Sequence, residues 1–453
     1  MKWDRRFGLT RRRTAGYLTP TTLIDPMETR NMPSTDQGGV THTSNTSSPS
    51  IPGWLFVLPW SLRHLGGVNE VVKNLIQHFR NGHVFSPFLL ITSEDAEPAG
   101  AAGPDVIEPF SLNLWGPWDE RHPLRALLSF AGRFPFRCWK LRRIIKQFNV
   151  RVVNPHFAGL GSLTFVAMKK CGQFDGEVVL SFHGSDIRSV LSTRGFERVL
   201  WRILLRCVDD IVVPSEDLGK DVLALQPKIA KNLSTISNGV DPALFAPAAR
   251  PQGQRQASGT TRPTIVSVGA FSPLKGHDIL VRAFSQVVSR IKDARLLLVG
   301  RSGPEVERIR ELVNSLSLAD SVEIVTDVPH EQIPEFLSRA SLFALATRSE
   351  GGRPLAVMEA AAAGLPTVCT RATGVRELIS DGITGRLVEI DDHAALADTI
   401  LELLAHPEEA RRLAMNLQAY VVQNLTWQHT YGRYVALLAA TSDLLQPGKS
   451  MEG

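Results

Sequence analysis

The chain has 453 residues, a formal net charge of +5 and 43% hydrophobic residues, ordinary values for a globular protein. The length exceeds what one core organises and predicts two domains, and no run of eighteen apolar residues offers a membrane-spanning helix. So modest a net charge argues against general nucleic-acid binding, and no nucleic-acid partner is expected.

Residues 1–50 are rich in Ser, Thr, Pro, Gly and Asn and show no apolar periodicity, so they read as a disordered N-terminal extension. Their basic start, MKWDRRFGLTRRR, lacks the apolar run of a secretory signal. Excess positive charge sits in two places. One is this extension, with seven Lys or Arg against four Asp or Glu; the other is Arg121 to Val150, with eight basic side chains and no acidic one. Cys138, Cys171, Cys207 and Cys369 are scattered without metal or redox spacing, which fits a reducing cytoplasm and predicts no metal site.

From residue 51 the pattern changes. WLFVLPW reads as a buried strand, and GGVNEVVKNLIQHF as a glycine turn opening an amphipathic helix. Further apolar strands, VFSPFLLIT, VRVVNPHF, EVVLSFHGSD and DDIVVPS, alternate with helical sequence up to residue 246. Being apolar at every position, they suit a parallel sheet covered on both faces. The segment 247–263, PAARPQGQRQASGTTRP, reads as a linker. A second series, TIVSVGAF, ARLLLVGR, SVEIVT, ASLFALAT and LPTVCT, fills 264–425, and a last helix spans 426–445. The expected fold is therefore α/β with two doubly wound, Rossmann-like domains facing across a cleft, since ligands of such sheets lie beyond the strand carboxyl ends.

Four places carry chemistry. Gly66 and Gly67 allow close backbone approach and free helix-start amides for an anion, though such turns also serve chain geometry alone. Lys275, between a strand and a helix, can neutralise phosphate or simply be solvated. His183 ends a strand beside Gly184 and Asp186, where a structural, hydrogen-bonded histidine is an equal reading. Glu359 reads as standing in the first turn of an alanine-rich helix; there it either complements the helix dipole or accepts the two hydroxyls of a sugar diol. The turn before it, Gly351-Gly352-Arg353-Pro354-Leu355, offers backbone amides suited to a pyrophosphate.

In order, GGVNEVV, SFHGSD, VVPSEDL, SNGVDPALFAP, VSVGAFSPLKGHDIL, LLLVGRSGP, SEGGRPLAVMEAAAAGLPTV and TGVRELISDGITGRLV resemble the retaining glycosyltransferases of family 4, with the GT-B fold, from about Trp54 to Leu438. The resemblance implies transfer of a sugar from a nucleotide-diphosphate-sugar donor, with no other cofactor, to a glycan or lipid-linked acceptor in envelope or extracellular polysaccharide synthesis. It implies that Gly66 and Gly67 meet donor phosphate or acceptor, that His183 lies by the transferred sugar, and that Lys275 binds the diphosphate. Glu350 would contact sugar hydroxyls, Glu359 the ribose, and Arg353, Pro354 and Leu355 the donor. Two departures stand out. Ala270 occupies a place usually held by arginine, leaving Lys275 alone or sharing its task with Arg353 or Arg301; and Glu350 and Glu359 are nine apart rather than the usual eight. Other readings are a nucleotide-sugar epimerase or phosphorylase of the same architecture, or an inactive nucleotide-sugar-binding protein.

The stretch 115–148 interleaves Trp115, Trp118, Phe130, Phe134, Phe136 and Trp139 with arginines and lysines. That mixture suits an anionic membrane surface, and predicts a peripheral position on the inner face of the plasma membrane. An ordinary surface helix, apolar inside and basic outside, is the competing reading.

Overall fold

The computed structural model describes residues 51–92, 110–246 and 262–441. The predicted extension 1–50 and most of the predicted linker 247–263 lie outside them.

Two parallel sheets form the molecule. The first contains β1 (Gly53–Leu58), β2 (Ser86–Ile91), β3 (Phe110–Ser111), β4 (Val150–Pro155), β5 (Glu177–Ser181), β6 (Asp210–Val213) and β7 (Leu233–Thr235), in the order β3-β2-β1-β4-β5-β6-β7. The second contains β8 (Thr264–Val268), β9 (Arg295–Gly300), β10 (Val322–Thr326), β11 (Leu342–Leu345), β12 (Thr367–Thr370) and β13 (Arg386–Val388), in the order β10-β9-β8-β11-β12-β13. Strand order reverses between β1 and β4 in one sheet and between β8 and β11 in the other, which makes the loops after those four strands the natural binding loops. The edge strands β3, β7 and β13 have two or three residues each, too few for periodicity to reveal.

Alternation along β1 divides its side chains between two cores. Leu55 and Val57 join one cluster; Trp54, Phe56 and Leu58 face the other, with Val71, Leu75 and Phe79 of the helix Gly67–Gly82. The C-terminal helix Trp427–Thr441 adds Trp427, Tyr431, Tyr434 and Leu438 to this second cluster. Trp54 meets Phe79 at 4.5 Å and Tyr434 at 6.0 Å between ring centroids. Rings buried in this way contribute about 1.5–3 kcal/mol each, which fixes the last helix on the N-terminal sheet.

Two chain segments run together where the last helix begins. Val240 N–H donates to the Leu425 carbonyl at 2.9 Å, and Thr430 Oγ1 donates to the Ser237 carbonyl at 2.9 Å. Gly239 presses so closely on the Thr426–Trp427 backbone that a Cβ would overlap it.

The helix Pro123–Gln147 is amphipathic in its last turns, with Leu141 and Ile145 buried and Arg142, Arg143 and Lys146 exposed, but mixed elsewhere. Arg137 is buried, donating to the Trp115 carbonyl at 3.2 Å, while Leu124 is 75% and Trp139 54% exposed. Lys140 lies 4.8 Å from the Phe136 ring and Arg143 5.1 Å from that of Trp139, so cations and apolar rings share one outer face.

Candidate active site

Loops at the strand ends of the two sheets meet. After β5, the turn His183–Gly184 is organised by Asp186, whose carboxylate accepts from the backbone N–H of His183, Gly184 (2.7 Å) and Ile187 (2.9 Å). Burial raises the Asp186 carboxyl to about 6 against those hydrogen bonds. Across the cleft, Gly351 lies against the His183 carbonyl and the Gly184 Cα so tightly that neither glycine has room for a Cβ. Gly184 also has a φ of 118°, outside the usual range of other residues.

Lys275 follows β8 and Glu350 follows β11, the two strands flanking the switch point of the second sheet. They form one ion pair, Lys275 Nζ lying 2.7 and 2.8 Å from the two Glu350 oxygens. The loop that carries the lysine is rigidly held. Arg348 forks onto Asp278 at 2.8 and 3.0 Å, and Thr347 Oγ1 donates to the Leu274 carbonyl at 2.9 Å. Glu350 is thus beside Gly351, and through it beside His183.

Gly66 precedes the helix Gly67–Gly82. Leu355 Cδ1 lies close to Gly67, at 3.6 Å from where a Cβ would be, and Arg301 donates to the Leu65 carbonyl at 3.0 Å. Arg301 therefore brings positive charge to the glycine turn. Arg353 does not: its guanidinium bonds the Ser237 hydroxyl and donates to the Glu377 carbonyl at 3.3 Å. Gly352 packs on Pro214, and the Gly351 carbonyl accepts from Ser215 Oγ at 3.3 Å. The Gly351 carbonyl, Gly352 and the Arg353 side chain of this turn thus make contacts between the two sheets' loops.

Glu359 also differs from expectation. Pro354 caps a helix running Leu355–Ala362, so Glu359 is its fifth residue and not in its first turn. The proline fixes φ at −64° one turn earlier than the apolar pattern suggested, and dipole complementation is not the role of Glu359. The carboxylate is buried and its Oε1 lies 2.8 Å from His330 Nε2; His330 Nδ1 lies 3.3 Å from Glu70 Oε2 of the first helix. Burial pulls the His330 pKa down, but the hydrogen bond and charge of Glu359, with Glu70 and Glu331, raise it above the ordinary value. Glu70 and His330, missed in the sequence, line with Glu359 a cavity of about 250 Å³ that reaches Asp241 and Trp427. The only sequence signal was Glu70 within GGVNEVV.

Two charged groups at strand ends, glycine loops in van der Waals contact and a helix start are the equipment for holding an anionic, hydroxyl-rich ligand. Models of Glycosyltransferase Family 4 and of Glycosyl transferases group 1 match residues 65–244 and 251–419. The GDP-mannose-dependent alpha-(1-6)-phosphatidylinositol monomannoside mannosyltransferase of Mycolicibacterium smegmatis is 30% identical, over 84% of this chain and 97% of that protein. The chain belongs to the family 4 glycosyltransferases. This glycosyltransferase also shares its fold with sucrose-phosphate synthase of Thermosynechococcus elongatus (TM-score 0.66, 21% identity) and with Anabaena HepE bound to UDP and glucose (0.65, 17%). Each covers 86% of this chain and is itself covered completely. Two Rossmann-like domains of the GT-B type are thus the architecture of this enzyme.

Proposed function

We propose that this enzyme moves a hexosyl group, with retention at the anomeric carbon, from a nucleotide-diphosphate-sugar to a lipid-linked or envelope glycan at an anionic membrane surface. The observation that carries the reading is the meeting of the Lys275–Glu350 loop with the His183–Gly184 turn, where β8, β11 and β5 end. In this reading Lys275 leaves Glu350 to meet the diphosphate, aided by Arg301 and the glycine-turn amides at Gly66 and Gly67. Glu350 then accepts from sugar hydroxyls, and Glu359 accepts from the ribose in place of His330. Charge that grows on the leaving diphosphate is stabilised by groups already in position, the term that usually dominates such catalysis.

The acceptor side rests on the helix Pro123–Gln147. Its outer face offers Leu124, Leu128, Phe136 and Trp139 among exposed cations such as Arg133, Lys140, Arg142 and Arg143, a combination suited to the interface of anionic lipid, where each Lys or Arg contributes about 1 kcal/mol. No helix of the described residues is long and apolar enough to cross a membrane. In this reading the helix Pro123–Gln147 attaches peripherally, on the cytoplasmic face. The mycobacterial relative, named for a phosphatidylinositol mannoside, supports a lipid acceptor and makes GDP-mannose the first donor to test.

A screen of GDP- and UDP-sugars, read by release of nucleoside diphosphate with lipid extract or soluble glycan as acceptor, tests this. Release that depends on a lipid-linked acceptor is expected. Transfer only to soluble acceptors would overturn the lipid assignment, and hydrolysis or isomerisation without transfer would overturn the reading itself.

A further inference from the structure

A buried hydrogen-bonded chain leads from the cleft into the N-terminal sheet, and its chemistry can be solved link by link. Asn154, the penultimate residue of β4, is completely buried. Its side chain lies 2.7 Å from the Val179 carbonyl oxygen, which can only accept, so Nδ2 must face it. The same Nδ2 donates to Ser181 Oγ at 3.0 Å. Oδ1 therefore faces His156 Nε2, at 2.9 Å, and an amide oxygen can only accept, so Nε2 carries a proton. Burial and the neighbouring His183 hold the His156 pKa well below its ordinary value, so the ring is neutral and its Nδ1 is bare. That bare nitrogen lies 3.0 Å from His183 Nε2, which must donate to it. Burial keeps His183 neutral as well, with a pKa of about 4.

We propose that Asn154 and His156 are positioning residues that hold His183 as its Nε2–H tautomer, so that His183 presents Nδ1 to the cleft chemistry as a hydrogen-bond acceptor and never as a donor. The inference rests on the reading that His183 lies by the transferred sugar. It gives that histidine one role, to accept from a sugar hydroxyl, and removes it from the candidates for protonating a leaving group. The far end of the chain is Tyr434, whose hydroxyl lies 3.0 Å from Ser181 Oγ. The last helix thus touches the same network.

Full-length protein labelled with ¹⁵N-histidine tests this at pH 7.5, since two-bond ¹⁵N–¹H correlations distinguish the two neutral tautomers and the cation. The spectrum of His183, assigned by its loss in His183→Asn, is expected to show the Nε2–H form. In Asn154→Leu the His183 signals should move toward a tautomer mixture. Turnover with the donor found by the screen should fall about 10²-fold, as for misplacement of a reacting group, while GDP and UDP affinities by calorimetry stay unchanged. An Nδ1–H or cationic His183 in the unmodified protein overturns the proposal even if Asn154→Leu fails to fold. So does a folded Asn154→Leu protein with full turnover. Absence of sugar transfer by the unmodified protein, in contrast, overturns the functional reading on which the role of His183 rests.

Discussion

Lys275 and Glu350 neutralise one another, Nζ 2.7 Å from Oε1, on two loops brought together only because β8 and β11 are neighbours. Each charge is therefore compensated before any ligand arrives, and a diphosphate must compete with Glu350 for the ammonium. Lys275→Ala is expected to lower kcat by roughly 10²–10³-fold, the usual cost of a preorganised charge-stabilising donor, and to lower thermal stability, because the largely buried Glu350 carboxylate loses its partner. Steady-state kinetics with thermal unfolding measure both. Glu350→Gln should lower turnover less in the Lys275→Ala background than alone, because the two act as a unit. Near-normal kcat for Lys275→Ala would remove the lysine from the diphosphate site.

His330 joins Glu70 of the first domain to Glu359 of the second, and those carboxylates raise its pKa. A histidine whose folded pKa lies above its unfolded value stabilises the fold fully below pH 6.5 and loses that contribution as pH rises through the folded value. Wild-type protein should therefore exceed His330→Gln in melting temperature at pH 6, and the gap should narrow towards pH 9. A gap that widens with pH would contradict the arrangement.

His156, His183 and His277 have the opposite sign. Burial lowers all three, His183 and His277 to about 4. The unfolded chain then binds protons that the folded one refuses, so stability is lost as pH falls from about 6.5 towards 4. His277 stacks on Phe271 at 4.6 Å, and neither ring nitrogen has a hydrogen-bond partner among the described residues. Its replacement in His277→Leu should cost no more than about 1 kcal/mol at pH 7.5 and should shrink the difference between denaturation midpoints at pH 7.5 and 5. An unchanged difference would show that this ring does not drive the acid lability.

Glu377 reaches across from the second domain to cap the helix Glu216–Leu225, accepting from the N–H of Glu216 at 3.1 Å and of Asp217 at 2.9 Å. Arg376 adds an ion pair to Asp217 at 3.2 Å. Glu377→Ala with Arg376→Ala should weaken domain contact by about 1–2 kcal/mol, the scale of a lost helix cap. Small-angle scattering should then report a larger radius of gyration without nucleotide and recovery at saturating donor. Identical profiles for variant and wild type would show that these residues do not hold the domains together.

Gly239 has no space for a side chain against Thr426–Trp427. Gly239→Val should part the two crossing segments and release the aromatic packing of the last helix on Trp54, at a cost of about 3 kcal/mol or more. Chemical denaturation and tryptophan fluorescence would record it, and an unaltered midpoint would refute the contact.

Much of this architecture is written locally. Continuous apolar runs such as EVVLSF and ARLLLVGR specify buried parallel strands, and the polar break at 247–263 separates two of their series, because periodicity and composition are properties of neighbouring residues. The glycine turns and Lys275 were likewise visible as strand-to-helix junctions. What partners those residues have was not visible. Glu350 faces Lys275 through the strand order β8-β11, and Arg353 bonds the Ser237 hydroxyl. The bridge from Glu70 through His330 to Glu359 joins three elements remote in sequence. The tautomer of His183 is fixed by Asn154, twenty-nine residues earlier, through an amide oriented by a carbonyl of β5. Hydrogen-bond direction and charge pairing depend on distances of about 3 Å between elements, and only the tertiary structure sets those distances.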